Sequence, residues 1–196
     1  MRQKIKQHFK KVDPILFRAA EQVGELEEII PRKSSEYFGS LCGEIIAQQL
    51  GNRAAHAILG RFHNLFPGKK VKPHYITAMQ ARELRKSGMS WAKARSIKDL
   101  AQKVVAKEVA LSRLSSFSDE DAIRELTKIK GIGKWTAEMF LIFSLGREDV
   151  FSYGDLGLRK AYTKLYGKRK MDPIVASWSP YRSWASLILW KSQDGN

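Results

Sequence analysis

The sequence predicts an all-α protein, and three observations predict it. Apolar residues recur at i, i+3, i+4 and i+7 along most of the 196-residue chain. Helix-capping and helix-stopping residues fall between those stretches. Alternating apolar–polar runs, the mark of half-buried strands, are scarce.

The elements follow in order. Phe38, Leu41, Cys42, Ile45 and Ile46 keep helical spacing, with Pro31 ahead and Gly51-Asn52 behind. Ala54, Ala55, Ile58, Leu59, Phe62, Leu65 and Phe66 repeat the pattern until Pro67-Gly68 breaks it. A short helix is expected over residues 75–86, stopping at Gly88. Ser90 caps a helix over 91–106, with Ile97, Leu100, Ala101, Val104 and Val105 facing inward. Ser118 and the acids after it open a helix through Thr127. A tight turn at 129–133 leads into a buried apolar helix over 135–145. Residues 152–155 connect to a helix through Tyr166, the basic run Lys168-Arg169-Lys170 precedes Asp172-Pro173, and a last helix covers 181–191. The first 34 residues keep two readings, a helix packed over one lobe or a mobile segment.

Composition narrows the function. Lys and Arg number 35 against 20 Asp and Glu, a net charge of +15. With 43% hydrophobic and 28% charged residues the chain buries a core, so wholesale disorder is excluded. Its length suits one large domain or two small lobes around a shared cleft. One cysteine, Cys42, excludes a disulfide framework and any cysteine-based zinc or iron–sulfur centre. His8, His56, His63 and His74 have no metal-ligand spacing. No apolar run of about 18 residues spans a membrane, and the basic N-terminus lacks the features of a secretory signal. The expected location is the cytoplasm, in association with the nucleoid. Excess positive charge without a membrane pattern points to a polyanion, most often nucleic acid.

Two local features carry chemistry. Gly131-Ile132-Gly133-Lys134 joins one helix end to the next helix start. Both glycines permit positive φ and close backbone approach. The unpaired N–H groups opening the second helix, its dipole and Lys134 make an anion site that suits a DNA phosphate without sequence preference. The same pattern also describes an ordinary helix–turn–helix connection. The second feature is Asp155, 20 residues after Trp135 and next to Gly154. Taken alone it reads equally as an N-cap.

Taken together these residues resemble the helix-hairpin-helix DNA glycosylases, and within them the alkylation-repair branch of 3-methyladenine DNA glycosylase II. Besides the hairpin, four segments carry the resemblance: residues 45–50 (IIAQQL), 87–101 (SGMSWAKARSIKDLA), 149–160 (DVFSYGDLGLRK) and 178–190 (WSPYRSWASLILW). It spans roughly residues 35–191. It implies a compact, two-lobed helical bundle with an active-site cleft between the lobes, one lobe covering about 35–130. The 34 residues before Ser35 are too few for the N-terminal β-domain that some members carry. No iron–sulfur cluster is implied, since cluster-bearing members use four cysteines.

The resemblance assigns roles residue by residue. Asp155 becomes the catalytic carboxylate, stabilising positive charge on the sugar, activating water, or both. Trp135, Met139 and Trp190 line the pocket for a flipped, electron-poor base, with Tyr153 as a further wall. Leu50 is the wedge that fills the vacated stack, and Gln48 and Gln49 either bond the orphaned base or hold the loop. Gly131, Gly133, Lys134, Thr136 and Arg182 are implied DNA contacts. The carbonyls of Thr127, Ile129 and Gly131 are the implied ligands of a structural sodium or potassium ion, and no other cofactor is required. Lyase members carry a lysine two residues after the second glycine; here that residue is Trp135, so a monofunctional enzyme using water is expected. Trp91, Trp178 and Trp184 stay open between core and surface. The expected partner is duplex DNA containing alkylated bases, engaged by a monomer. Two rival readings are a non-enzymatic helix-hairpin-helix DNA-binding protein and a glycosylase for other damaged or mismatched bases.

Overall fold

The computed structural model describes residues 1–193, the Asn52 side chain excepted. As expected, it is all-helical, with no strand among the described residues. Twelve α-helices follow one another among those residues, with three short 3-10 turns between them: α1 (Gln3–Val12), α2 (Pro14–Val23), α3 (Tyr37–Ala47), α4 (Asn52–His63), α5 (Pro73–Ala78), α6 (Ala81–Arg85), α7 (Trp91–Val105), α8 (Asp119–Thr127), α9 (Lys134–Phe143), α10 (Leu156–Tyr166), α11 (Met171–Ser177) and α12 (Arg182–Lys191). They divide into two compact units. A central unit runs from Arg32 to Phe140, and a terminal unit joins Met1–Pro31 to Leu141–Asn196.

The central unit is built on α7. Its inward stripe of Ala94, Ile97, Leu100 and Ala101 is fully buried, as are Leu41, Cys42, Ile45 and Ile46 of α3. Burial pushes the Cys42 thiol up, far from any reactive range. The polar residues beside the stripe hold neighbouring backbone ends. Lys98 Nζ donates to the carbonyls of Ile76, Thr77 and Met79 at 3.0, 3.0 and 2.6 Å. These C-terminal carbonyls of α5 have no partners further along a helix, so a cation there satisfies them. This corrects the single helix expected over 75–86. The chain turns extended at Met79 and Gln80, and α6 starts afresh with the Gln80 N–H bonded to Glu83 Oε2 at 2.7 Å.

The terminal unit is organised around Asp13. This carboxylate caps α2, its Oδ1 accepting the N–H groups of Ile15 and Leu16 at 3.1 and 3.0 Å. Its Oδ2 accepts the Tyr166 hydroxyl and the Trp178 indole N–H, both at 2.8 Å. Tyr166 lies stacked on Tyr162, with ring centroids 4.6 Å apart. Burial, and next its bond to Asp13, push the Tyr166 phenol up. The first 34 residues thus take the packed reading: α1 buries Ile5 and Phe9, and α2 buries Leu16. Trp178 and Trp184 are fully buried core residues, whereas Trp91 is exposed beneath the Arg85 guanidinium, 5.0 Å from its ring centroid. Helix α11 was not expected from the sequence. Pro173 sits in its first turn, where a missing N–H is tolerated.

Asp13→Ala removes a cap and leaves a buried hydroxyl and indole N–H without their acceptor. The expected loss is about 3 kcal/mol, or roughly 6–12 °C in Tm for a chain this size. Tyr166→Phe should lose only about 1 kcal/mol. Thermal unfolding followed by circular dichroism checks both; an Asp13→Ala protein melting with the wild type would remove this network from the account.

Candidate active site and hairpin

In the terminal unit, Asp155 ends the turn at 152–155 and caps α10. Its N–H donates to the Ser152 carbonyl at 3.1 Å, which sets the turn. Its Oδ1 accepts the Leu158 N–H at 2.7 Å and the Trp190 indole N–H at 3.1 Å. The carboxylate is buried, at 8% exposure. Gly157 makes this possible: a Cβ there would lie 3.0 Å from Asp155 Oδ1 and 3.3 Å from Trp190 Cδ1. Trp190 therefore orients the carboxylate as well as offering a ring, a role its sequence motif did not reveal. Phe143 lies against Trp190, with centroids 5.9 Å apart. Tyr153 is exposed and meets Phe151 edge-on at 5.0 Å. Desolvation and the nearby Asp172 carboxylate raise the Tyr153 phenol.

Arg182, expected on DNA, is engaged inside the protein. Its Nε and one terminal nitrogen fork onto Asp149 at 2.8 and 3.0 Å, and its backbone N–H reaches the same carboxylate at 3.2 Å. Burial pushes the Asp149 carboxyl up, but the bonds from Arg182 and from Ser179 outweigh it and hold it below the usual range. The structure thus gives Arg182 the task of fixing the start of α12 to the loop before Val150.

The central unit contributes the hairpin between α8 and α9. Gly131 has φ +84°, and a Cβ there would meet Ser96 Oγ at 2.3 Å. Gly133 differs from expectation. It is not in the left-handed region, and a Cβ there would meet nothing within 4 Å. Helix α7 fixes the hairpin: Asp99 Oδ2 accepts the Lys130 N–H at 2.7 Å, and Lys103 donates to the Lys128 carbonyl. Lys134 is exposed, its Nζ 3.8 Å from Glu138 Oε1. Trp135 is 43% exposed on α9, while Met139, expected as a pocket wall, is buried. Thr136, expected on DNA, is buried and bonded within the unit.

Gln48 takes the loop-holding reading. Its amide donates to the Gly131 carbonyl and to Thr136 Oγ1, both at 3.0 Å. Lys93 Nζ donates to the Ile46 and Gln48 carbonyls at 2.9 and 2.7 Å, and burial lowers its ammonium. The chain then turns sharply, Leu50 N–H to Ala47 carbonyl, with Gln49 exposed at φ +58°. A glutamine in the position that favours glycine stores about 1 kcal/mol of strain, so this turn presents Gln49 and Leu50 at a conformational cost. Of the carbonyls expected around a cation, two already accept one hydrogen bond each. Gly131's points to Gln48, and Ile129's accepts the Ile132 N–H at 3.0 Å. Sequence reading places Lys93, Ser96, Lys98 and Asp99 in one of the segments that carry the resemblance but gives them no role as organisers, since the backbone groups they hold or abut lie on other elements.

The two glycines should part company on substitution. Gly131→Ala forces a left-handed alanine into Ser96 and is expected to lose 2 kcal/mol or more, as an order-of-magnitude figure. Gly133→Ala should fold with stability within about 0.5 kcal/mol of wild type. Denaturant unfolding of both variants checks the contrast, and equal losses would contradict it.

Comparison with known proteins shows the family. Residues 42–175 match the family described as HhH-GPD superfamily base excision DNA repair protein. A putative DNA-3-methyladenine glycosylase of Bacillus subtilis, YfjP, is 36% identical over 76% of this chain; the match spans 56% of that relative's length. DNA-3-methyladenine glycosylase 1 of Schizosaccharomyces pombe is 33% identical over 94% of this chain and 85% of its own. Among solved structures, a DNA-3-methyladenine glycosidase from Bacillus halodurans superposes with a TM-score of 0.83 at 35% identity, covering 99% of this chain and 90% of that one. The Schizosaccharomyces pombe 3-methyladenine DNA glycosylase Mag1, in complex with abasic DNA, gives 0.82 at 31% identity, covering 97% of each. With its hairpin glycines, its buried Asp155 and a match over residues 42–175, this chain belongs to the HhH-GPD superfamily of base excision DNA repair proteins.

Proposed function

We propose that this protein is a monofunctional DNA glycosylase that flips alkylated purines such as 3-methyladenine from duplex DNA and hydrolyses their N-glycosidic bond. It acts as a monomer, in the cytoplasm on the nucleoid. The observation that carries this reading is the buried Asp155, held by Trp190 and the Leu158 N–H, in a chain whose relatives bear the names given above. No helix among the described residues is long and apolar enough to cross a membrane.

The chemistry follows from the charges. A base methylated on a ring nitrogen already carries positive charge. When its bond to C1′ breaks, the electron pair leaves with the base, which becomes neutral, and the positive charge passes to the sugar. Asp155 faces that charge as a fixed anion in a water-poor setting, where such stabilisation is strongest. Water then adds to C1′, its proton passing to the Asp155 carboxylate or to solvent, and an abasic sugar remains. The exposed ring of Trp135 offers a stacking face for a cationic base, worth roughly 0.5–2 kcal/mol. The strained turn at Gln49 supports Leu50 as the wedge. The open space at Gly133 and the exposed Lys134 support a phosphate contact at the start of α9. An indole at position 135 cannot form a Schiff base, so strand cleavage by lyase chemistry is not expected.

Base release from alkylated duplex DNA tests the reading, with the freed base identified by chromatography. Asp155→Asn keeps a good helix cap and should lose 100-fold or more of the rate, as an order of magnitude. Trp190→Phe keeps a ring but loses the N–H to Asp155, and a roughly tenfold fall in kcat, about 1.4 kcal/mol, is expected. Strands should break only after alkali. Wild-type protein that binds DNA but frees no base, or an Asp155→Asn protein as active as wild type, would favour the non-enzymatic DNA-binding reading. A borohydride-trapped covalent complex would favour a lyase.

A further inference from the structure

Six cations follow Asp155 with no acidic residue among them: Arg159, Lys160, Lys164, Lys168, Arg169 and Lys170. All six are exposed. None of their side chains joins an ion pair among the described residues, whereas Arg2 pairs with Glu28 and Glu148, and Arg182 with Asp149. In the terminal unit Glu28, Glu148 and Asp149 pair with other cations. Asp172 beside the loop forms no ion pair with these six among the described residues, so the face keeps an excess of positive charge.

The basic loop is also held in place. Gly167, at φ +62°, ends α10. The Tyr162 hydroxyl lies 3.0 Å from the Lys170 carbonyl and 3.4 Å from that of Arg169, so it donates across the turn. Tyr162 is stacked on Tyr166, and Tyr166 is bonded to Asp13. Backbone bonds and a stack therefore order a loop whose like charges repel one another. That arrangement favours an anionic partner, since the ordering is complete before binding.

A row of cations this long matches an extended polyanion. The eleven residues of α10 rise about 16 Å from Asp155. Duplex DNA advances 3.4 Å per base pair along each strand, so a duplex laid along α10 would pass roughly five base pairs between the Asp155 end and the basic loop. We infer that the exposed face of α10 and the 168–170 loop bind the phosphate backbone of duplex DNA flanking the lesion, whether or not a lesion is present. The inference rests on the glycosylase reading above and adds a hold outside the reacting nucleotide. Each phosphate neutralised this way steepens the salt dependence of binding and strengthens non-specific association during search.

The experiment uses the full chain with Lys168→Gln, Arg169→Gln and Lys170→Gln together, and separately Lys160→Gln with Lys164→Gln. Glutamine keeps helix propensity and leaves the carbonyls that Tyr162 bonds. Affinity for an undamaged duplex of about 30 base pairs is measured across a salt series. The triple variant should bind about tenfold more weakly at physiological salt, with the slope of log K against log salt reduced by roughly 2–3. The double variant should lose a slope of roughly 1–2. On a duplex of about 8 base pairs centred on the lesion, wild type and variants should bind alike. Base release at saturating enzyme should stay within about twofold of wild type. An unchanged slope on the long duplex overturns the inference, as does an equal loss on the short one, which would put the contact at the lesion. Failure of the glycosylase reading looks different: the wild type itself would free no base.

Discussion

A carboxylate removed from water must find hydrogen-bond donors, or its burial is prohibitively unfavourable. This protein meets that demand twice with similar pieces. Asp13 and Asp155 each cap a helix, and each accepts an indole N–H from near the C-terminus, Trp178 for the first and Trp190 for the second. The N-terminus of a helix supplies backbone N–H groups and a favourable dipole, so both negative charges sit where the backbone already welcomes them. At Asp13 the second oxygen is taken by Trp178 and Tyr166, and the result is structural. At Asp155 the same device fixes the orientation of the carboxylate proposed above to meet developing positive charge. Rigidity at such a group is useful because the stabilisation is then in place before the bond breaks.

The central unit solves a different problem, that of backbone groups stranded at helix ends. Helix α7 serves them from one flank: Lys93 for the end of α3, Lys98 for the end of α5, and Asp99 for the hairpin N–H at Lys130. These charges are structural ties before they are anything else. They show why a net charge of +15 is an incomplete guide to a binding surface. Some of the cations are bound to carbonyls or carboxylates and present little field outward, and those without such partners matter most.

Much of the fold was legible because helical periodicity is strong in this chain. Ser90 and Ser118 cap their helices as read, with N–H bonds from Lys93 and Asp121, and Asp155 caps α10. The break between α5 and α6 was not legible, because it depends on Lys98, distant in sequence. The two hairpin glycines looked equivalent, yet only Gly131 needs its conformation; the reason, Ser96, lies on another helix. Arg182 and Thr136 were read as DNA contacts by position, and Gln48 as either a contact to the orphaned base or a holder of the loop; their internal bonds to Asp149, Gln48 and Gly131 arise from tertiary packing that local pattern does not encode. For the site, the key carboxylate was visible and its supports were not. Trp190 was seen as a ring and Gly157 was passed over, since a hydrogen bond between residues 35 apart leaves no trace in local spacing.

The division of the chain has a consequence for its synthesis. The central unit is one continuous stretch, Arg32–Phe140, so all its partners have left the ribosome once that stretch has emerged. The terminal unit joins the first helices to the last. Asp13 waits for Tyr166 and Trp178, and Asp155 waits for Trp190. At ordinary elongation rates of about 5–20 residues per second, the stretch from Leu141 to Trp190, about fifty residues, takes on the order of seconds. During that interval the hairpin is complete while the carboxylate lacks its indole. The hairpin of the central unit is therefore complete before Asp155 is oriented, and α12 is the helix that completes the setting of that carboxylate.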